Sequence, residues 1–321
     1  MAIVSDDQVI KVLRQYNTWW RNVSEVKEES KPQRRLAYYK ALEMMKHKTL
    51  RRFVVLSGAR RVGKTTIMYQ MIDNLLEEGI NPRNILYISF DNPIIKLVNV
   101  EKVLSIYESL YPLDGTKYVF FDEVQYMEDW ELWLKVIYDS RKDFRLTATG
   151  SASPILEKGS ADSGTGRWNV LKIPTLSFYE YCKLLQIKTP ILPKHLKLTE
   201  LVKMNKTELG DLMEQFVSLE GHFNRYLMIG GFPELVLSDD DVYAQRMLRE
   251  DVVDKVIKRD VLTLFNIRSP LLMEKLFLYL CMNSTEILSV TTAAKELENT
   301  SFSTLESYIS ALQKSNLIYL S

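Results

Sequence analysis

A chain of 321 residues can bury the cores of two or three domains. Its 46% hydrophobic content and formal net charge of +1 make an ordinary soluble balance, without electrostatic bias toward nucleic acid or a membrane surface. Cys182 and Cys281 stand far apart without metal-ligand spacing, so a reducing compartment is expected, and His47, His195 and His222 have no partners at metal spacing.

Residues 1–50 read as a charged helical arm. No apolar segment follows Met1–Asp7, so the reading has no signal peptide, and a cytoplasmic location is expected. Tyr16, Trp19 and Trp20 read as a packing anchor for this arm. Phe53–Ser57 is then a short apolar run with the look of a buried strand. It leads into Gly58-Ala59-Arg60-Arg61-Val62-Gly63-Lys64-Thr65-Thr66, which fits the phosphate-binding pattern G-x-x-x-x-G-K-[ST]. A helix is expected next, with Ile67, Met68, Met71, Ile72, Leu75 and Leu76 on one stripe and Gly79 as its stop. Strand, loop and helix together give the motif its meaning. The glycines let successive N–H groups turn inward, and the helix N-terminus adds partial positive charge. In that reading residues 58–66 cradle the phosphates of ATP, Lys64 reaches the β- and γ-phosphates, and the Thr65 hydroxyl binds Mg²⁺. Arg60 and Arg61 either touch phosphate or face solvent.

Ile85–Phe90 reads as the next strand and Val100–Leu110 as a helix. Lys117-Tyr-Val-Phe-Phe-Asp122-Glu123 is a buried strand ending in two carboxylates, where ligands sit in open α/β sheets. Asp122 is the candidate for the Mg²⁺ shell and Glu123 for accepting a proton from attacking water. A helix over 130–141 follows, then a strand over Phe144–Ser151 with polar residues at its end, where Thr149 or Ser151 could report on the γ-phosphate. This alternation predicts a parallel α/β sheet with right-handed crossovers. Guanine specificity does not fit: Asp122 is followed by Glu-Val-Gln, and Asn205-Lys-Thr-Glu208 has no apolar strand before it.

These motifs resemble those of AAA+-type predicted ATPases of prokaryotes that carry a C-terminal domain of unknown function. The resemblance rests on Thr18-Trp-Trp20, the phosphate loop, Phe121-Asp-Glu-Val-Gln125, Thr149-Gly-Ser-Ala-Ser153, Gly166-Arg167, Pro174-Thr-Leu-Ser-Phe178 and Gly230-Gly-Phe-Pro-Glu234. It implies an ASCE-class P-loop core with a helical lid and a winged-helix-like module, and no defined biological substrate. It also singles out Arg167 as the arginine that would stabilise charge on the transferring phosphoryl group, from its own chain or a neighbour's. Arg167 ends a glycine- and serine-rich run from Glu157 that reads as mobile.

The expected divisions are an arm over 1–50, a nucleotide core over 51–175, a helical lid over 176–282 and a winged helix-turn-helix over 283–321. Gly230–Pro233 is expected to break two helices sharply, and Asp239–Asp241 to be a solvated helix start. Near the C-terminus Val290–Leu297 is one helix and Asn299–Phe302 a turn. Ser303 and Glu306 read as a capping box on a second helix, and Leu317–Ser321 as a strand. With no second strand for the wing, the chain reads as a shortened form of a longer protein that continues into the family's C-terminal domain. DNA contact through this module is disfavoured by Glu286, Glu296, Glu298 and Glu306 against Lys295 and Lys314. Two functions stay open: an ATP hydrolase, and a slow nucleotide-gated switch or DNA-binding regulator. A homo-oligomer or a protein partner fits either. Leu276–Met282, the longest apolar run there, is too short to span a bilayer.

Overall fold

A computed structural model describes residues 4–47, 49–112, 114–151, 166–190, 198–265, 267–297 and 300–320. The chain divides into two compact units, one of residues 1–173 and 253–321, the other of residues 174–252.

The first unit is built on five parallel strands: β1 (Phe53–Gly58), β2 (Ile85–Ser89), β3 (Lys117–Asp122), β4 (Phe144–Ser151) and β5 (Trp168–Lys172). Their order across the sheet is β2-β3-β4-β1-β5. β1 and β2 are buried at every position, as strands covered on both faces must be. Their apolar runs therefore do not alternate in the sequence. Helices α1 (Asp6–Tyr16), α2 (Val26–Ser30), α3 (Leu36–Met45), α4 (Lys64–Glu77), α5 (Val100–Leu110) and α6 (Trp130–Ser140) surround it. α1 starts at a capping box in which Ser5 and Gln8 satisfy each other's backbone N–H groups. α4 ends where Gly79 takes φ +80°, and the Gly79 and Ile80 N–H groups return to Leu76 and Leu75 carbonyls.

The arm is part of this core. Trp19 and Trp20 are both buried, and both indole N–H groups donate to the Ile85 carbonyl, at 3.1 and 2.9 Å. The same unit holds C-terminal helices, among them α7 (Pro270–Met282), α8 (Val290–Glu296) and α9 (Phe302–Lys314). Met273, Leu276, Ala293, Leu305, Ile309 and Leu312 share one hydrophobic cluster among them.

Two sequence expectations fail here. Ser301, not Ser303, caps the last helix: its backbone is extended and its hydroxyl accepts the Thr304 N–H, which starts α9 at Phe302. Residues 317–320 form no strand, because no strand lies beside them among the described residues. Asn299 and Ser321 lie outside the described residues, as do residues 152–165, which hold most of the glycine- and serine-rich run.

The second unit is helical. It contains α10 (Phe178–Leu184), α11 (Lys206–Val217), α12 (Glu220–Ile229) and α13 (Asp241–Met247). Gly230 ends α12 at φ +74°, and Gly231 lies against the Leu176 backbone so closely that a Cβ would sit 2.4 Å from its carbonyl oxygen. Asp240 caps α13 and Asp241 pairs with Arg225 at 2.7 Å, so the acidic triplet serves the helix start.

Candidate nucleotide site

At the carboxyl end of β1 the backbone has room for nothing larger than glycine. A Cβ on Gly58 would stand 2.3 Å from the Ile173 carbonyl oxygen, which leaves β5 alongside it. The loop then turns through two left-handed residues, Arg61 (φ +61°) and Gly63 (φ +90°), and α4 begins at Lys64. Val62 is fully buried, and its carbonyl accepts a 2.7 Å bond from Arg35 Nη1, which ties the loop to the chain segment before α3. Lys64 is 5% exposed, and its Nζ donates to the Gly58 and Ala59 carbonyls, both at 2.9 Å. The ammonium therefore points into the curl of the loop.

Parallel register carries the second motif to the same place. Phe121 pairs with Ala148, and Leu56 with Thr149, so Asp122 and Thr149 reach the carboxyl edge beside the loop. Asp122 is buried with both oxygens engaged. Thr149 donates to Oδ1; Thr65 Oγ1 and the Tyr87 hydroxyl donate to Oδ2, at 2.8 and 2.7 Å. Thr149 Oγ1 in turn accepts the Glu123 N–H at 3.0 Å. Glu123 sits in the left-handed region at φ +56°, and Gln125 Nε2 donates to its carboxylate. Burial pushes the Glu123 carboxyl above the ordinary range, opposed chiefly by the Lys64 charge. Burial and then the Asp122 charge drive the Tyr87 phenol well upward, which keeps it a donor near neutral pH.

Lys64, Thr65, Asp122, Glu123 and Thr149 thus converge. Gly58, Ala59, Arg60, Arg61, Val62, Gly63 and Thr66 form the rest of the loop and helix start. Arg60 is close enough for its charge to act on Glu123. Thr65 Oγ1 and the Asp122 carboxylate are hard oxygen donors side by side, the donor type Mg²⁺ takes.

Arg167 is the exception. Its carbonyl accepts the Phe53 N–H at 2.9 Å, at the amino end of β1, and its guanidinium pairs with Asp139 at 3.3 Å. The phosphate loop starts five residues further along the strand, about 17 Å at the usual rise. An arginine acting on this chain's own phosphate loop is therefore ruled out for Arg167 in this arrangement. Sequence reasoning passed over Tyr87, Gln125 and Arg35. For Tyr87 a signal existed: a phenol in the middle of a fully buried strand needs a partner for its hydroxyl.

A glycine-cornered loop, a lysine inside it and a carboxylate pair at the end of the parallel strand one beyond β4 define the P-loop fold class. Residues 50–182 match the family model described as an AAA domain, and residues 220–321 match a domain of unknown function, DUF8612. Each model covers less than half of the chain, and together they give the pairing of an AAA domain with a C-terminal domain of unknown function. An uncharacterized protein of Methanocaldococcus jannaschii is 26% identical over 271 residues, covering 83% of this chain and 55% of the relative. An uncharacterized protein of Haemophilus influenzae is 24% identical over 273 residues, covering 83% and 61%. The chain thus spans little more than half the length of these relatives. Similar solved structures include the Aeropyrum pernix ORC1 protein in complex with DNA, at 13% identity and TM-score 0.38, covering 90% of this chain and 83% of that one. AMPPCP-bound DnaA from Aquifex aeolicus follows at 14% identity and TM-score 0.35, covering 88% and 89%.

Proposed function

We propose that this chain binds ATP with Mg²⁺ and hydrolyses it, coupling turnover to a change in a partner or in its own assembly. The observation that carries the reading is the 2.8 Å bond from Thr65 to Asp122. It joins the phosphate-loop threonine to the strand-end carboxylate, with Glu123 next in the chain. The loop N–H groups, the α4 N-terminus and Lys64 bind the phosphates. Thr65 and Asp122 hold Mg²⁺, which when bound offsets phosphate charge. Glu123 takes the proton of the attacking water. Thr149 fixes the Asp122–Glu123 turn by bonding both residues.

A slow, partner-gated switch is the second reading. Gln125 on the Glu123 carboxylate and Arg167 on the far edge of the sheet favour it, since full activity would need Glu123 released and an arginine supplied by a neighbour. Within this proposal residues 51–175 are the nucleotide core, with the arm before it, the helical unit ending at residue 252 as lid, and the helices beyond it, which share one hydrophobic cluster, as partner module. A homo-oligomer or protein partner suits that module better than DNA, given its acidic charges. No described helix is long and apolar enough to cross a membrane, and the cytoplasm is the compartment this reading implies.

Lys64→Ala tests the assignment. Calorimetry with ATP and Mg²⁺ is expected to show binding in the parent protein and its loss in the variant. Equal affinities would remove the phosphate loop from the function.

A further inference from the structure

Among the described residues β2 is an edge strand, hydrogen-bonded to β3 on one side only. An edge normally leaves backbone donors and acceptors unpaired. Here side chains of the arm take the place of a sixth strand. Asn17 is fully buried between α1 and β2. Its Nδ2 donates to the Leu13 carbonyl at 2.8 Å and to the Tyr87 carbonyl at 2.9 Å, and its Oδ1 accepts the Tyr87 N–H at 2.6 Å. The two indole N–H groups bond the same edge at the Ile85 carbonyl. Asn17 thus engages both backbone groups that Tyr87 turns to this edge.

The Tyr87 ring is held as firmly. It stacks on Tyr69 of α4 with centroids 5.0 Å apart, and Tyr16 meets its edge at 5.8 Å. Trp19 in turn packs edge-on against Tyr69 at 6.3 Å. All this fixes one atom, the hydroxyl oxygen 2.7 Å from Asp122 Oδ2. The other donor on Oδ2 is Thr65, whose hydroxyl the proposed function assigns to Mg²⁺. Once that hydroxyl turns to the metal, Tyr87 is the remaining described donor that orients Oδ2.

We infer that Tyr87 is a positioning residue for the metal-holding carboxylate, and that the Asn17–Trp20 arm sets its place. The inference rests on the proposed function, because it takes Asp122 as the Mg²⁺ ligand. Partners that orient a ligating carboxylate from outside the metal's own shell commonly contribute about 10–100-fold to metal affinity.

The test is a Mg²⁺ titration of the full chain with a non-hydrolysable ATP analogue, read by calorimetry. Thermal midpoint and metal-free nucleotide affinity serve as separate readouts. Tyr87→Phe deletes only the hydroxyl and keeps the ring contacts. It is expected to raise the half-saturating Mg²⁺ about tenfold or more, with metal-free affinity within about twofold of the parent. Asn17→Ala is expected to move the Mg²⁺ midpoint in the same direction. If it unfolds at the assay temperature, Trp20→Phe, which deletes one indole donor, takes its place. An unchanged Mg²⁺ midpoint in Tyr87→Phe overturns the positioning role. A shift in Tyr87→Phe with none in the folded arm variants overturns the arm's part. Asp122→Asn separates the layers: if it too leaves Mg²⁺ dependence untouched, the metal assignment itself has failed.

Discussion

As the base of the proposed function, Glu123 must stay put and yet be available. Its left-handed backbone, which costs a non-glycine residue on the order of 1 kcal/mol or more, turns the chain sharply after β3. The Thr149 hydroxyl accepts its N–H and holds that turn. The side chain is engaged by Gln125, so its carboxylate has a fixed direction. Glu123→Gln keeps the size and removes the basic oxygen pair. Nucleotide affinity is expected to stay near that of the parent, while turnover falls about a hundredfold or more, the usual reach of a general base. Parent-like turnover would reduce Glu123 to a structural neighbour of Asp122. At this scale the sequence was most legible where chemistry dictates residue type: the loop, Lys64, Thr65 and the Asp-Glu pair. Tyr87 and Gln125 escaped because tyrosine in a strand and glutamine in a turn have many bland explanations. Only the register of β2 on β3 shows what Tyr87 touches, and only the turn after β3 brings Gln125 onto Glu123.

Among the elements, hydrophobic pattern located the strands and helices of the sheet domain closely. Val100–Leu110 was read with the bounds it has, since Asn99 caps one end and the apolar stripe spans the rest. The sequence misled where an end depends on tertiary context. Leu317-Ile-Tyr-Leu has strand propensity but no strand partner among the described residues, and Ser301 outcompeted Ser303 because its backbone was already extended. Gly231 was legible as a break, though not the reason for it. The Leu176 N–H donates to the Gly231 carbonyl at 2.6 Å, and the Leu176 carbonyl fills the space a side chain would need. Gly231→Ala must push backbone against backbone, and is expected to destabilise the helical unit by about 1–3 kcal/mol. Thermal unfolding checks this, and an unchanged midpoint would mean that the Pro174–Leu176 segment yields freely.

On the scale of the whole molecule, Arg167 shows the limit of motif reading. A sequence can say that an arginine follows a glycine-rich run, but not which end of the sheet the run returns to. Trp168 paired with Phe53 answers that. An arginine held at the amino end of β1 is placed for a neighbour's site rather than for its own loop, so under the proposed function Arg167→Ala is expected to lower turnover of the assembled protein far more than affinity. Mixing it with Lys64→Ala should restore activity, because the second variant lends its arginine to the first variant's intact loop. No recovery in a demonstrated mixed oligomer would end that role.

The side-chain cover on β2 also bears on how the chain comes to be folded. Asn17, Trp19 and Trp20 find their partners 70, 66 and 65 residues later in the chain. At roughly 5–20 residues per second of synthesis, the arm waits several seconds for the strand it will cover. Through that interval its indoles are in water, and afterwards the edge of β2 is open until the arm docks. Substitutions that slow docking without weakening it would leave the finished protein equally stable, yet lengthen the time in which that edge can pair with another chain.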